Sequence, residues 1–283
     1  MRILVTANLH LDIWLQAGRD PLADLLPVLP TFDVLVIAGD LANNPLNRWP
    51  EVLARIGRLI DPAKVFLIPG NHDYYRFRLD GDDRLRAIAE AAGMQFAQKR
   101  MLELGTIRLL CCTLWSDFRL TGDPAGAMRT AARAMNDYRL IARDASEARA
   151  RPEDTLALHE DHLAWLAEAI AQPFPGRTVI VTHHGPSPGA AGSIDGLTPA
   201  FASDLDAWIL RHRPDLWLFG HTHRHLRTTV GRAPVVNVSL GYPDETRPGQ
   251  EASILMRGMI DTGTEGSGRM AGEDDVCHGV TRL

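Results

Sequence analysis

The sequence predicts an α/β layered fold, on three observations. Seven short, β-branched-rich apolar runs recur, each closed by a polar or glycine turn: RILVTA (2–7), DVLVIAG (33–39), KVFLIPG (64–70), IRLLCCT (107–113), TVIVTH (178–183), LWLFGH (216–221) and PVVNVSL (234–240). These runs are continuous rather than alternating, the mark of strands covered on both faces. Stretches of helical period lie between them.

The first three runs end on Asn, Asp or Asn within two residues, so each reads as a strand feeding a polar loop. Helices are expected at EVLARIGRLI (51–60), RLRAIAEAAG (84–93), LHEDHLAWLAEAIA (158–171) and FASDLDAWILRH (201–212). The last two strands follow one another without an intervening helix, which makes part of the sheet antiparallel. Residues 121–151 are rich in Ala and Arg, with weak helical period, and read as an inserted helical excursion. Their arginines are expected on a solvated face. Residues 1–257 are taken as one domain. The Gly-rich, aperiodic stretch 258–283 is expected to be a loosely packed tail.

A chain of 283 residues, 45% hydrophobic, is long enough for one large core. The net charge of −5 disfavours a role resting on non-specific nucleic-acid contacts, although a local basic patch is compatible with it. Three cysteines, two of them adjacent in an apolar run, argue for a reducing compartment and buried thiols rather than a disulfide scaffold. No apolar run reaches membrane-spanning length. Asn8, His10 and Asp12 interrupt the apolar start, which therefore fails as a signal peptide. A cytoplasmic protein without membrane partners is the expectation; oligomeric state is not readable.

Polar residues gather at the carboxyl ends of five strands: Asn8 and His10, then Gly39–Asp40, GNHDYY (70–75), THHGPS (182–187) and GHTH (220–223). In open α/β sheets ligands bind outside those ends. Six of the eleven histidines lie in these segments, a concentration that core packing does not produce. Neutral imidazole and carboxylate suit borderline divalent metals. Two ions about 3.5–4 Å apart can clamp a phosphoryl group and activate a water.

The order of these segments resembles the calcineurin-like metallophosphoesterase superfamily, whose pattern is D-x-H, GD, GNH[DE], a His, and GH-x-H. Here it reads N-L-H (8–10), G-D (39–40), G-N-H-D (70–73), H-H (183–184) and G-H-T-H (220–223). The resemblance implies two mixed β-sheets packed as a sandwich flanked by helices. It implies two divalent metal ions, Mn, Fe or Zn, and hydrolysis of a small phosphorylated substrate by a metal-bound hydroxide. One ion would take position 8, His10, Asp40 and His223; the other would take Asp40, Asn71, His183 and His221, with Asp40 bridging. His72 would stabilise the transition state or protonate the leaving oxygen. Asp73 would orient His72 or cap a turn.

Position 8 departs from the family's Asp. Asn8 adds no charge, so affinity for the first ion is expected to fall while its carbonyl oxygen still coordinates. Three accounts stay open: a tolerated neutral ligand, phosphate binding without turnover, or a substitution that slows turnover. The rival functions are a non-catalytic binder of phosphorylated ligands and a nuclease, which needs an electropositive groove leading to the metals. His184 and Tyr74 are candidates for substrate contact. Tyr75, Trp115, Asp117, Asn136 and Asp137 are weighed as bordering the pocket. His159 and His162 are expected on an exposed helical face, and His225 in a surface loop.

Overall fold

The computed structural model describes residues 1–262 and 280–282. Its strands are β1 (Arg2–Thr6), β2 (Val34–Ala38), β3 (Val65–Ile68), β4 (Gln95–Phe96), β5 (Arg100–Leu104), β6 (Ile107–Cys112), β7 (Arg177–Thr182), β8 (Leu216–Phe219), β9 (Arg227–Val230), β10 (Ala233–Asn237), β11 (Met259–Asp261) and β12 (Val280–Arg282). They form two six-stranded sheets, ordered β12-β11-β1-β2-β3-β4 and β5-β6-β7-β8-β10-β9. The helices are α1 (Leu11–Gln16), α2 (Pro45–Gly57), α3 (Asp82–Ala91), α4 (Pro124–Ala134), α5 (Asp137–Leu140), α6 (Pro152–Ala171), α7 (Asp206–His212) and α8 (Glu251–Leu255).

The continuous apolar runs are explained by two-sided burial. In β1 and β2 the residues Ile3, Val5, Val34 and Val36 face the second sheet, meeting Leu109, Cys111, Val179, Val181 and Leu218. Their neighbours Leu4, Leu35 and Ile37 face outward into a second cluster, which includes Trp49, Leu53 and Leu85 of α2 and α3. The same alternation sends Leu110 and Cys112 out against Leu166 and Ile209 of α6 and α7. Both sheets are mixed: β1-β2-β3 and β6-β7-β8 run parallel, while β11 is antiparallel to β1 and β9 to β10. The sheets meet at one rim, where Ala7 and Ser239 form a parallel bridge.

Three expectations change. The tail expected from 258 starts with β11, whose Met259 and Ile260 are fully buried and pair with Leu4 and Ile3; residues 263–279 and 283 lie outside the described residues. α6 begins six residues earlier than its periodicity suggested, at Pro152, which suits a first helical turn. Its buried residues are Thr155, His159, His162, Leu166 and Ala169. That spacing is one helical stripe, so the two histidines expected to be exposed belong to the core face. His162 Nδ1 accepts the Leu114 N–H at 3.1 Å. The excursion over 121–151 contains α4 and α5, and α5 carries Asp137 inward.

Candidate metal centre

Parallel β1, β2, β3, β7 and β8 end at the shared rim, and their next residues turn sharply. Asn8, His10, Asp40, His221 and His223 all adopt left-handed backbone, with φ between 39° and 66°. Asn, Asp and His tolerate that region better than bulky or β-branched residues. Gly39 has φ +93°, and a Cβ there would strike the His183 ring; glycine lets the β2 turn lie against that imidazole.

Asp40 is the hub. Its carboxylate is buried and is shared by two donor groups: His10, Asp40 and His223, and Asp40, His183 and His221. Oδ2 lies 3.6 Å from His10 Nε2, and Oδ1 lies 3.3 Å from His183 Nε2. Burial pushes the Asp40 carboxyl up, but the surrounding imidazoles, His183 foremost, pull it well below the usual range, so it is ionised. Burial keeps His10 and His221 well below the ordinary imidazole value, which leaves neutral rings with lone pairs to offer.

The second group is built to receive a cation. His183 Nδ1–H donates to the Ala38 carbonyl at 2.9 Å, so Nε2 is the nitrogen turned to the site. Burial pushes the imidazole down, but the Asp40 carboxylate beside it raises it overall, and a cation would replace the proton on Nε2. That nitrogen lies 3.2 Å from His221 Nδ1 and 3.1 Å from Asn71 Oδ1, and His221 Nδ1 lies 3.0 Å from the same oxygen. Asn71 Nδ2 donates to Asp137 Oδ1 at 2.9 Å, which fixes the amide with its oxygen toward the imidazoles. Tyr75 Oη donates to that same Asp137 oxygen at 2.7 Å. With His221 Nδ1 deprotonated, that atom, His183 Nε2 and Asn71 Oδ1 would fit around one ion with bonds of about 2.1 Å.

The first group is wired differently. Asn8 Oδ1 accepts the His221 N–H at 2.6 Å and the Ser239 hydroxyl at 2.9 Å. Its NH₂ therefore faces inward, donating to Asp40 Oδ2 and lying against His223 Nε2, both at 2.9 Å. Turning the amide over would set its NH₂ against the His221 N–H and its oxygen against the Asp40 carboxylate. In this arrangement the Asn8 oxygen is engaged by the His221 N–H and Ser239, and the NH₂, which is not a ligand, faces the group. His10 Nε2 and His223 Nε2 lie 3.1 Å apart, leaving His10, Asp40 and His223 as this group's donors. The Glu245 carboxylate accepts from His223 Nδ1 at 2.7 Å and orients that ring.

His72 lines the cleft. Asn43 Nδ2 donates to Asp12 Oδ2 at 2.9 Å, which turns Asn43 Oδ1 toward His72 Nδ1, also at 2.9 Å. Nδ1 is thus a donor, and Nε2 is left for chemistry. Asp73 forms no hydrogen bond to His72. Its carboxylate accepts the N–H groups of Asp40, Leu41, Ala42 and Gly70 and the Trp49 indole N–H. Burial, with the neighbouring Asp40 charge, pushes that carboxyl up to about 7, against the downward pull of the N–H donors. Asp73 is therefore the cap of the turn that carries Asp40.

The cleft over the site has a volume of 330 Å³. Its lining includes Tyr75, Asn136, Leu197, Phe201, Arg224 and Tyr242. Neither substrate candidate reaches it. His184 is buried with its ring stacked behind His221, centroids 4.2 Å apart. Tyr74 is buried and donates its hydroxyl to Asp82 at 2.6 Å. Trp115 and Asp117 are buried and outside the lining as well. Asn43, Asp12, Glu245 and Tyr242 carry no sequence signal, since each acts through a residue distant in the chain.

The family model described as calcineurin-like phosphoesterase matches residues 1–225. The chain belongs to that family. It is thereby placed among metal-dependent phosphoester hydrolases. A protein of Acanthamoeba polyphaga mimivirus is 24% identical over 230 residues, covering 75% of this chain and 79% of the relative. Among solved structures, a phosphopantetheinyl hydrolase from Mycobacterium tuberculosis is similar with a TM-score of 0.66 at 20% identity, over 86% of this chain and 90% of that one. A dimetal phosphatase from Danio rerio is similar with a TM-score of 0.51 at 16% identity, over 88% and 89%. These neighbours share the two-sheet architecture flanked by helices. No helix among the described residues is long and apolar enough to cross a membrane.

Proposed function

We propose that this phosphoesterase holds two divalent ions unequally and hydrolyses a phosphoester in the cleft above them. The observation that carries the reading is the contrast between two amides. Asn71, tied by Asp137, turns its oxygen to His183 and His221. Asn8, tied by Ser239 and the His221 N–H, turns its nitrogen to Asp40 and His223. One ion would be held by Asp40, Asn71, His183 and His221, four donors on two elements of each sheet. The other would have Asp40, His10 and His223 only, next to an N–H already donating to Asp40.

Bound divalent ions would supply Lewis acidity toward the phosphoryl oxygens and lower the pKa of water. The chain's own residues do the rest. Asp40 offers one carboxylate oxygen to each group. Glu245 and the Ala38 carbonyl hold His223 and His183 in the tautomers that present Nε2. His72 keeps Nδ1–H on Asn43 and, as imidazolium, gives its Nε2 proton to the leaving oxygen, returning to the neutral ring. Tyr75 packs on His72 with centroids 4.2 Å apart and restricts its swing.

A panel of phosphate monoesters and diesters, assayed with Mn²⁺, Zn²⁺ and Fe²⁺ for this chain and for Asn8→Asp, tests the reading. Metal-dependent turnover, raised by Asn8→Asp, is expected. Binding of phosphorylated compounds without turnover in either protein would favour a non-catalytic binder.

A further inference from the structure

The cleft itself carries Asp40, Asp195 and Glu245 with Arg224, and exposed arginines lie beyond it on both flanks. It shares His72, Tyr75 and Asn136 with a neighbouring hollow of 400 Å³. That hollow shares Arg76 and Leu140 with an outer groove of 830 Å³, whose lining includes Arg84 and Arg149. On the other flank the cleft shares Ala134 with a hollow lined by Arg129 and Arg133 on α4. All five of these arginines are exposed, and none of them is in an ion pair among the described residues. The acidic residues bordering the outer groove are Asp144 and Glu147, and Asp144 is engaged by Arg143 and Ser146. The excursion's exposed arginines, expected on a solvated face, thus lie beside the cleft without lining it.

Cationic side chains on both flanks of a hydrolytic centre suit a ligand carrying phosphates before and after the one that reacts. A compact phosphomonoester would need no such flanks. Half-exposed Phe77 lines the outer groove and gives a face on which a base can stack. We infer that the arginine-lined surface is a track for single-stranded nucleic acid, whose phosphodiester is presented to the metal centre between Arg76 and Arg133. In the reaction, water oxygen bonds to phosphorus, one P–O ester bond breaks, and the departing oxygen takes a proton. The products are a terminal phosphomonoester and an alcohol. The catalytic part of this inference rests on the function proposed above; the binding surface does not.

The test is the fluorescence anisotropy of a short fluorescein-labelled oligothymidylate, titrated with the full chain across a salt series. Inorganic tripolyphosphate serves as the competitor. Hydrolysis of bis(p-nitrophenyl) phosphate by the unsubstituted chain with Mn²⁺ is read alongside. Oligonucleotide binding should weaken at least tenfold in Arg84→Glu/Arg149→Glu and in Arg129→Glu/Arg133→Glu. The slope of log affinity against log salt should flatten by about 1.4 per pair, from two contacts at about 0.7 each. Exposed positions keep the variants folded, and an unchanged thermal melt checks this. The inference is overturned if the chain does not bind the oligonucleotide, if both variants bind as well as the original, or if tripolyphosphate binds as tightly as the oligonucleotide. Tight, arginine-dependent binding together with no diester hydrolysis would uphold the track and refute the hydrolase reading instead.

Discussion

Asn8→Asp is the perturbation with the most calculable outcome. The replacement puts an oxygen where the NH₂ stands, 2.9 Å from Asp40 Oδ2, and keeps the other oxygen on the His221 N–H and Ser239. Without metal, two carboxylates at that distance repel by about 6 kcal/mol at an effective dielectric of about 20. Protonating one of them at pH 7, from an ordinary value of about 3.9, costs about 4 kcal/mol. Protonation is the cheaper route, so the metal-free variant should lose about 4 kcal/mol. For a chain of this size that is roughly 10 °C in Tm. With metal the balance reverses, because the new oxygen is a fourth donor for the group of His10, Asp40 and His223. Differential scanning calorimetry in EDTA and in excess Mn²⁺ reads both effects, and metal analysis after dialysis reads stoichiometry. The variant should melt lower than the original in EDTA, gain more from Mn²⁺, and retain two ions where the original retains one. Equal melting in EDTA and equal metal content would refute the inward-facing amide.

Three further outcomes follow from the same geometry. His72→Ala should lower turnover of a phosphodiester about 10²- to 10⁴-fold while leaving metal content unchanged; loss of metal instead would make His72 a ligand. Asp137→Asn frees the Asn71 amide to turn over and should weaken metal retention about 10- to 100-fold, read by competition with a chromophoric chelator; unchanged affinity would show that Asp137 does not orient Asn71. Burial pushes His162 down to about 3, below an unfolded value of about 6.5. Its contribution to stability is therefore whole above that unfolded value and is lost as pH falls toward the folded one. Between pH 7.5 and 5.0 that amounts to about 2 kcal/mol. Urea unfolding of His162→Asn should show a pH dependence smaller by that amount, and an identical dependence would contradict the assignment.

The sequence carried the sheet cores well because strands such as VLVIA and RTVIVT are buried on both faces and need no alternation to be seen. It carried the short and edge strands poorly. β9, with two of its four residues exposed, offers little apolar signal. α2 begins at Pro45, ahead of the start expected after its internal Pro50, because a first-turn proline is easily taken for a break. Site residues were legible where a residue type met a strand end, as with Asp40, His183 and His221. The amide at position 8 was legible as an oddity but not in its orientation, which is set by Ser239, 231 residues away in the chain. His159 and His162 were misplaced because an i, i+3 pair was read without the stripe that Thr155, Leu166 and Ala169 complete around it.

The central claim is that Asn71 and Asn8 make one strong cation site and one weak one around Asp40. A crystal grown with Mn²⁺ and measured for anomalous scattering addresses it directly. A strong peak is predicted among Asp40, Asn71, His183 and His221, with a much weaker one among Asp40, His10 and His223. The stronger peak beside His10 and His223, or none near Asp40, would contradict the account.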